Sequence, residues 1–307
     1  VGRFLRLARI TAWPAYSLAF VIPFTAGVCE PIGWFKVAAG FLALFMFAAF
    51  AFALNFYSDM DTDRFHDGKQ KDFDLGRQPM VTGEVSDREC LAFCSATFMA
   101  AVGLALAVSW LFALLVAIAC LFGGILYSHP RIRYKAKPVG DVLCMSVVGV
   151  VIPSAGFLLG YGALPRGLTM LLWFFFTATG YIASVMSDFE FDRKAGLRTT
   201  VVWLGQAGAL KAMLVSSLIC SIVAVLVFKG YYPVGTRYVA LLSAAGAVAL
   251  TAVVWRFLRP PRMQLPVVSR RRWVFPALGL ISVACLCYAW IKLYSPGCLP
   301  WDPFSAL

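Results

Sequence analysis

Long apolar runs separated by short polar ones set the pattern of this chain. Nine runs of the length that crosses a bilayer as a helix, about 20 mainly apolar residues, lie near 12–29, 35–57, 90–108, 109–127, 140–161, 167–187, 209–229, 236–257 and 273–294. Apolar residues are continuous within each run and do not alternate, which predicts helices and excludes membrane strands. The expected fold is therefore all-α: a polytopic membrane protein of nine transmembrane helices in a bundle. The runs use most of the chain, so a single membrane-embedded domain is expected over 1–307. Breakers punctuate the polar segments. Gly68, Gly76, Pro79 and Gly83 make 64–89 a loop, Ser109 marks a tight hairpin, 189–208 reads as a polar connection, and Pro14, Pro23 and Pro153 fall inside apolar runs.

Composition agrees. The chain is 61 % hydrophobic and 14 % charged, against roughly half and a quarter in soluble domains. A net charge of +12 would point to nucleic acid in a soluble protein, but its distribution argues against that partner. With the N-terminus inside, 22 of the 27 Lys and Arg fall in cytoplasmic segments, among them Arg3, Arg6 and Arg9. That bias predicts a cytoplasmic N-terminus and an outer C-terminus. The same face receives 13 of the 15 carboxylates, which topology does not require and a chemical site there would explain. The nine cysteines show no zinc or disulfide spacing. Most lie within spans, where thiols act as small apolar groups.

Two acidic stretches stand out. Asn55, Asp59 and Asp63 are spaced four apart and so share one helix face. Asp188 and Asp192 repeat the spacing. Two carboxylates about 6 Å apart repel by roughly 3 kcal/mol at an effective dielectric of about 20, so such clusters at a membrane surface call for a function. Hard oxygen donors select Mg²⁺ or Ca²⁺, and two facing pairs suit Mg²⁺ ions sharing one diphosphate. Asp61, Asp67, Asp72 and Asp74 lie off the row and read as solvated loop charges, as do His66 and His129. Cations for a diphosphate are available at Arg77, Arg131, Arg133, Lys135, Lys137, Arg193 and Lys194, with Arg77 and Lys135 preferred. No Ser-His-Asp or Cys-His arrangement and no strand-to-helix phosphate loop is legible.

The stretches NFYSDMDTD, GRQPMVTGEVS, LYSHPRIRYKAKP and DFEFDRKAGLRTTVVWLG resemble, in that order, the motifs of the UbiA superfamily of intramembrane prenyltransferases. The resemblance implies a helical bundle around a central cavity. It implies Asn55, Asp59, Asp63, Asp188 and Asp192 as ligands of Mg²⁺, with Arg77, Tyr127, Arg133 and Lys135 on the diphosphate. The implied reaction ionises an isoprenyl diphosphate at the cytoplasmic face and transfers the allylic carbocation to a small acceptor, most simply an aromatic ring of quinone-precursor type. A porphyrin-type, carotenoid or glycerol-lipid acceptor is the alternative, and a cation transporter the remote one. Membrane lipids are the expected surroundings. Phe56 departs from the family pattern, standing where many members carry Asp.

Overall fold

The computed structural model describes residues 2–28, 31–63, 78–186 and 188–231, with no side chains at 14, 15, 61–63 and 228–231. All regular elements among the described residues are helical. The α-helices are α1 (Gly2–Leu7), α2 (Trp13–Gly27), α3 (Trp34–Asp63), α4 (Asp87–Val108), α5 (Trp110–Ala119), α6 (Gly140–Tyr161), α7 (Gly167–Met186), α8 (Phe189–Lys194) and α9 (Thr200–Tyr231), with short 3-10 turns at Ile10–Ala12 and Tyr134–Ala136 and a π-helix at Cys120–Leu126. Among the described residues, five stretches are long and apolar enough to cross a membrane: Trp34–Met60, Asp87–Val108, Gly140–Tyr161, Gly167–Met186 and Thr200–Val227. The shorter apolar helices Tyr16–Gly27 and Trp110–Leu126 coincide with the first and fourth expected spans. The expected spans 236–257 and 273–294 lie outside the described residues.

One expectation changes. The connection 189–208 is partly helical: α8 occupies Phe189–Lys194 and α9 already begins at Thr200. Polarity alone misjudged it, because Thr199 and Asp141 supply the caps that let a helix start there. The Thr199 hydroxyl accepts from the Val202 N–H at 3.3 Å, and an Asp141 carboxylate oxygen accepts from the Thr200 N–H at 2.9 Å. A break follows at Gly205, with φ 68 and ψ 168 degrees. Only glycine adopts that conformation readily.

The chain divides into two compact units. One holds the described residues of Val1–Arg133 and Val151–Leu164, the other those of Tyr134–Val150 and Pro165–Leu265. In the first, α3 has 30 residues and so extends about 45 Å, against a hydrocarbon core of about 30 Å. The helix is therefore longer than the apolar layer, which leaves room for acidic residues at its end. Ser109 alone joins α4 to α5, its side chain capping Phe112 N at 3.1 Å. Around Phe20 the rings of Phe41 and Phe112 lie edge to face, at centroid distances of 4.9 Å and 6.4 Å. Phe24 meets Phe41 edge to face at 5.4 Å. This is the arrangement that ring quadrupoles favour.

The N-terminal arginines are not merely topological charges. Arg3 donates to the Glu84 carbonyl (2.8 Å) and to the Glu89 carboxylate (2.7 Å), and Arg6 pairs with the Glu84 carboxylate. Phe4 stacks on Phe93 at 5.4 Å, and Leu7 is fully buried. These contacts clasp α1 to the loop before α4, whose own start is closed by a Ser86–Glu89 capping box. Such a box satisfies two orphan helix donors reciprocally. The Arg6 hydrogen bond holds the Glu84 carboxyl below its usual range. A depressed carboxylate stabilises above its unfolded pKa and loses that contribution as pH falls through the lower folded value. A spin label on Leu5→Cys should thus stay immobile from pH 8 down to about 4.3, the ordinary Glu value, and loosen only below it. In the Arg6→Ala variant it should already be mobile at neutral pH.

In the second unit, Ile182, Val201, Ala209, Leu210 and Met213 form a buried cluster against which Val142, Met186 and Phe189 pack. The Thr179 hydroxyl donates to Ser216 Oγ at 3.0 Å, tying α7 to α9.

Candidate active site

Asn55 and Asp59 stand on the last turns of α3, one turn apart. Asn55 Nδ2 donates to Ser128 Oγ (3.4 Å), and Ser128 is fully buried. That contact goes with a close approach: a Cβ on Gly124 would lie 2.3 Å from the Phe50 ring, so any larger residue there would have to displace that ring. Residues Cys120–Leu126 form a π-helix, a local rewinding frequent at functional sites. It delivers Tyr127 and Ser128 at its end.

Arg133 Nη2 donates to Asp59 Oδ1 at 3.1 Å, with the side chains 27 % and 19 % exposed. A tight turn makes this possible. The His129 carbonyl accepts from both Ile132 N and Arg133 N at 2.9 Å, and Arg133 adopts the left-handed region (φ 43). On the other flank Gln78 Nε2 donates to the Phe56 carbonyl at 3.0 Å, returning the chain to α3. Phe56 is buried and carries the Arg9 guanidinium 4.2 Å from its ring centre. The two thus make a cation–π contact beside the acidic row. Three buried polar atoms here have no hydrogen-bond partner among the described residues: Ser58 Oγ, Gln78 Oε1 and Arg133 Nε.

The second acidic pair and Lys135 belong to the second unit. Asp188 is exposed and precedes α8. Its carbonyl accepts from Phe191 N (3.0 Å) and Asp192 N (2.9 Å), which puts Asp192 one turn on. The Asp192 carbonyl accepts from Leu197 N at 2.8 Å, closing the turn through Gly196 (φ 71). Lys135 is buried in the turn Tyr134–Ala136. Arg77 and the side chain of Asp63 lie outside the described residues.

Among the described residues no three His, Cys, Asp or Glu side chains converge as a metal cluster. The donors at the end of α3 are nevertheless all oxygens. Orphaned buried oxygens at Ser58 and Gln78 stand beside them. Such a set suits a hard cation such as Mg²⁺. A cavity of about 840 Å³ does occur, but at the other end of α3, lined by Phe35, Lys36, Ser109, Leu159 and Tyr161. It is separated from Asp59 by about 35 Å of helix.

Ser128, Gln78, Arg9 and Asp141 were not singled out by the sequence pattern. Only Asp141 left a signal, as the lone carboxylate inside the apolar run 140–161. A carboxylate in such a run marks a site by default.

These features define a helical integral membrane protein with an oxygen-rich, cation-flanked helix end. The UbiA prenyltransferase family matches residues 11–275, and the chain belongs to that family of enzymes. A UbiA homolog from Archaeoglobus fulgidus bound to DMAPP and Mg²⁺ is 32 % identical, covering 95 % of this chain and 99 % of that one, with a TM-score of 0.83. The same homolog bound to GPP and Mg²⁺ gives 31 % identity over the same shares and a TM-score of 0.81. Digeranylgeranylglyceryl phosphate synthase from Methanopyrus kandleri is 29 % identical over 178 residues, 58 % of this chain and 64 % of the relative's length. Family membership sets aside the transporter alternative.

Proposed function

We propose that this chain, as a single membrane-embedded domain around a central cavity, transfers a prenyl group from an isoprenyl diphosphate to a lipid-soluble acceptor at the cytoplasmic face. The observation that carries this reading is the Asp59–Arg133 pair beside Asn55. A carboxylate able to hold a metal and a guanidinium able to hold phosphate stand within 3.1 Å of each other. Together they complement a metal-bound diphosphate. The DMAPP, GPP and Mg²⁺ held by the A. fulgidus homolog support it.

In this proposal Asn55, Asp59 and Asp63 on one motif, and Asp188 and Asp192 on the other, hold Mg²⁺. The ion, when bound, supplies neutralisation of charge on the departing diphosphate. Arg133, with Arg77, Lys135 and Tyr127, binds the phosphate oxygens and orients the allylic C–O bond. Ser128 keeps Asn55 in place. Phe52 and Phe56, with Arg9 over both rings, close the site against water beside the acidic row, so that the developing cation meets the acceptor first.

The family resemblance suggests an aromatic ring of quinone-precursor type as acceptor, and the name of the M. kandleri relative favours a glycerol-based lipid. Membranes bearing the protein, given labelled GPP, Mg²⁺ and a panel of both acceptor classes, should yield one labelled lipid product, and EDTA should abolish it. Diphosphate-independent labelling, or turnover unaffected by EDTA, would reject the proposal. Arg133→Gln should raise KM for GPP about tenfold, the loss of a charge-assisted contact of roughly 1.5 kcal/mol, with a smaller effect on kcat.

A further inference from the structure

Asp141 is fully buried at the start of α6. Among the described residues its hydrogen bonds come from neutral donors. Oδ1 accepts from the Val142 N–H (2.8 Å) and from the Thr200 hydroxyl, and Oδ2 accepts from the Thr200 N–H (2.9 Å). One carboxylate thereby caps the N-termini of two helices, α6 and α9, where the helix dipoles favour negative charge. Thr200 Oγ1 in turn accepts from the Val139 N–H at 2.7 Å. Val139 has a positive φ of 66, a region that β-branched residues rarely occupy and that persists only where the surroundings over-determine it. The three residues form a knot under backbone strain, and none is needed for membrane topology.

Both partners of the knot lead to proposed site residues of the same unit. Val142 and Val201, next to Asp141 and Thr200, pack in the cluster that receives Phe189, the residue after Asp188. Between Asp192 and Thr200 the chain is pinned by the Leu197 N–H on the Asp192 carbonyl. In the other direction, Gly140 lies so close to Tyr134 that an added Cβ would sit 3.3 Å from its Cβ. Tyr134 opens the turn that contains Lys135.

We propose that Asp141 and Thr200 are positioning residues: their bond locks the Lys135 turn to the Asp188/Asp192 motif and so sets the second acidic motif's affinity for metal-bound diphosphate. The inference rests on the functional reading above. Their own oxygens are consumed by backbone and hydroxyl donors, so they act through the motif and not as ligands.

The test is calorimetric titration of the full chain in nanodiscs with Mg²⁺ and inorganic pyrophosphate. Thr200→Val removes the hydroxyl at nearly constant volume and should weaken binding about 10- to 100-fold, the range seen when support of metal ligands is lost. It should also raise the half-saturating Mg²⁺ concentration. Thr200→Ser, which keeps the hydroxyl, should bind within about twofold of the parent, and Asp141→Asn should follow Thr200→Val. If Asp141→Asn does not fold, the Val and Ser pair carries the test. Thr179→Val breaks a buried bond elsewhere in the unit and should leave binding unchanged. Unaltered binding by Thr200→Val, or equal losses in Thr179→Val, overturns this inference alone. A parent chain that does not bind Mg²⁺ with pyrophosphate overturns the functional reading and this inference with it.

Discussion

Asp59→Ala is expected to lower kcat/KM for prenyl transfer by about 10²- to 10³-fold, the usual loss when one preorganised electrostatic group is removed from a reacting centre. The effect has two parts. A carboxylate that would hold the metal disappears, and the Arg133 guanidinium, 27 % exposed, loses a hydrogen-bonded counter-charge. Because one side chain serves both roles, raising the Mg²⁺ concentration should recover only part of the rate. Asp59→Asn keeps an oxygen for Arg133 but not the charge, so it should fold like the parent and still be slow. Steady-state kinetics with GPP across a Mg²⁺ series separates the two parts. A rate within threefold of the parent for both variants would remove Asp59 from the site.

Gly156→Leu is expected to abolish accumulation of folded protein, and Gly156→Ala to destabilise it by about 1–3 kcal/mol, the range for overpacking. The first unit brings α6 against α2 through small residues one turn apart. A Cβ on Gly156 would lie 2.3 Å from the Phe20 carbonyl oxygen, and one on Gly160 would lie 2.5 Å from that of Phe24. Those obstacles are backbone, so no rotamer change relieves them, and the helices must separate. Separation would also open the contacts among Phe20, Phe24, Phe41 and Phe112. Small residues spaced by four are a known device for such approach in lipid, where apolar surface alone drives no association. Gly103→Ala and Gly180→Ala are the controls: nothing lies within 4 Å of either added Cβ. Both sit inside helices, where Ala is favoured by up to about 1 kcal/mol. Thermal midpoints in one detergent should rank these controls at or above the parent and Gly156→Ala clearly below it.

Much of the helical layout was legible because the bilayer imposes a local rule: a continuous apolar run of sufficient length must be a helix. The run 140–161 coincides with α6, the run 167–187 differs from α7 by one residue, and Ser109 alone separates α4 from α5. The four-residue spacing of Asn55, Asp59 and Asp63 is likewise local, and α3 extends through Asp63. Where a helix starts inside a polar stretch was not legible. The Thr200 end of α9 depends on a cap from Asp141, 59 residues earlier. The basic residues were harder still. Among the described residues Arg133 meets Asp59, because a left-handed backbone at the end of the His129 turn redirects its side chain, and no sequence spacing signals that turn. Arg3 and Arg6 read as topological charges and prove to be ion-paired with Glu89 and Glu84.

Residue order was enough to specify the helices of the described residues and the four-residue spacing of the acidic rows, since hydropathy and helical period act over neighbouring residues. Which cation meets Asp59, what buries Asp141, and where glycines let helices touch emerged only in the folded chain. Those outcomes depend on backbone turns and close approaches between segments far apart in the chain, which no local period encodes.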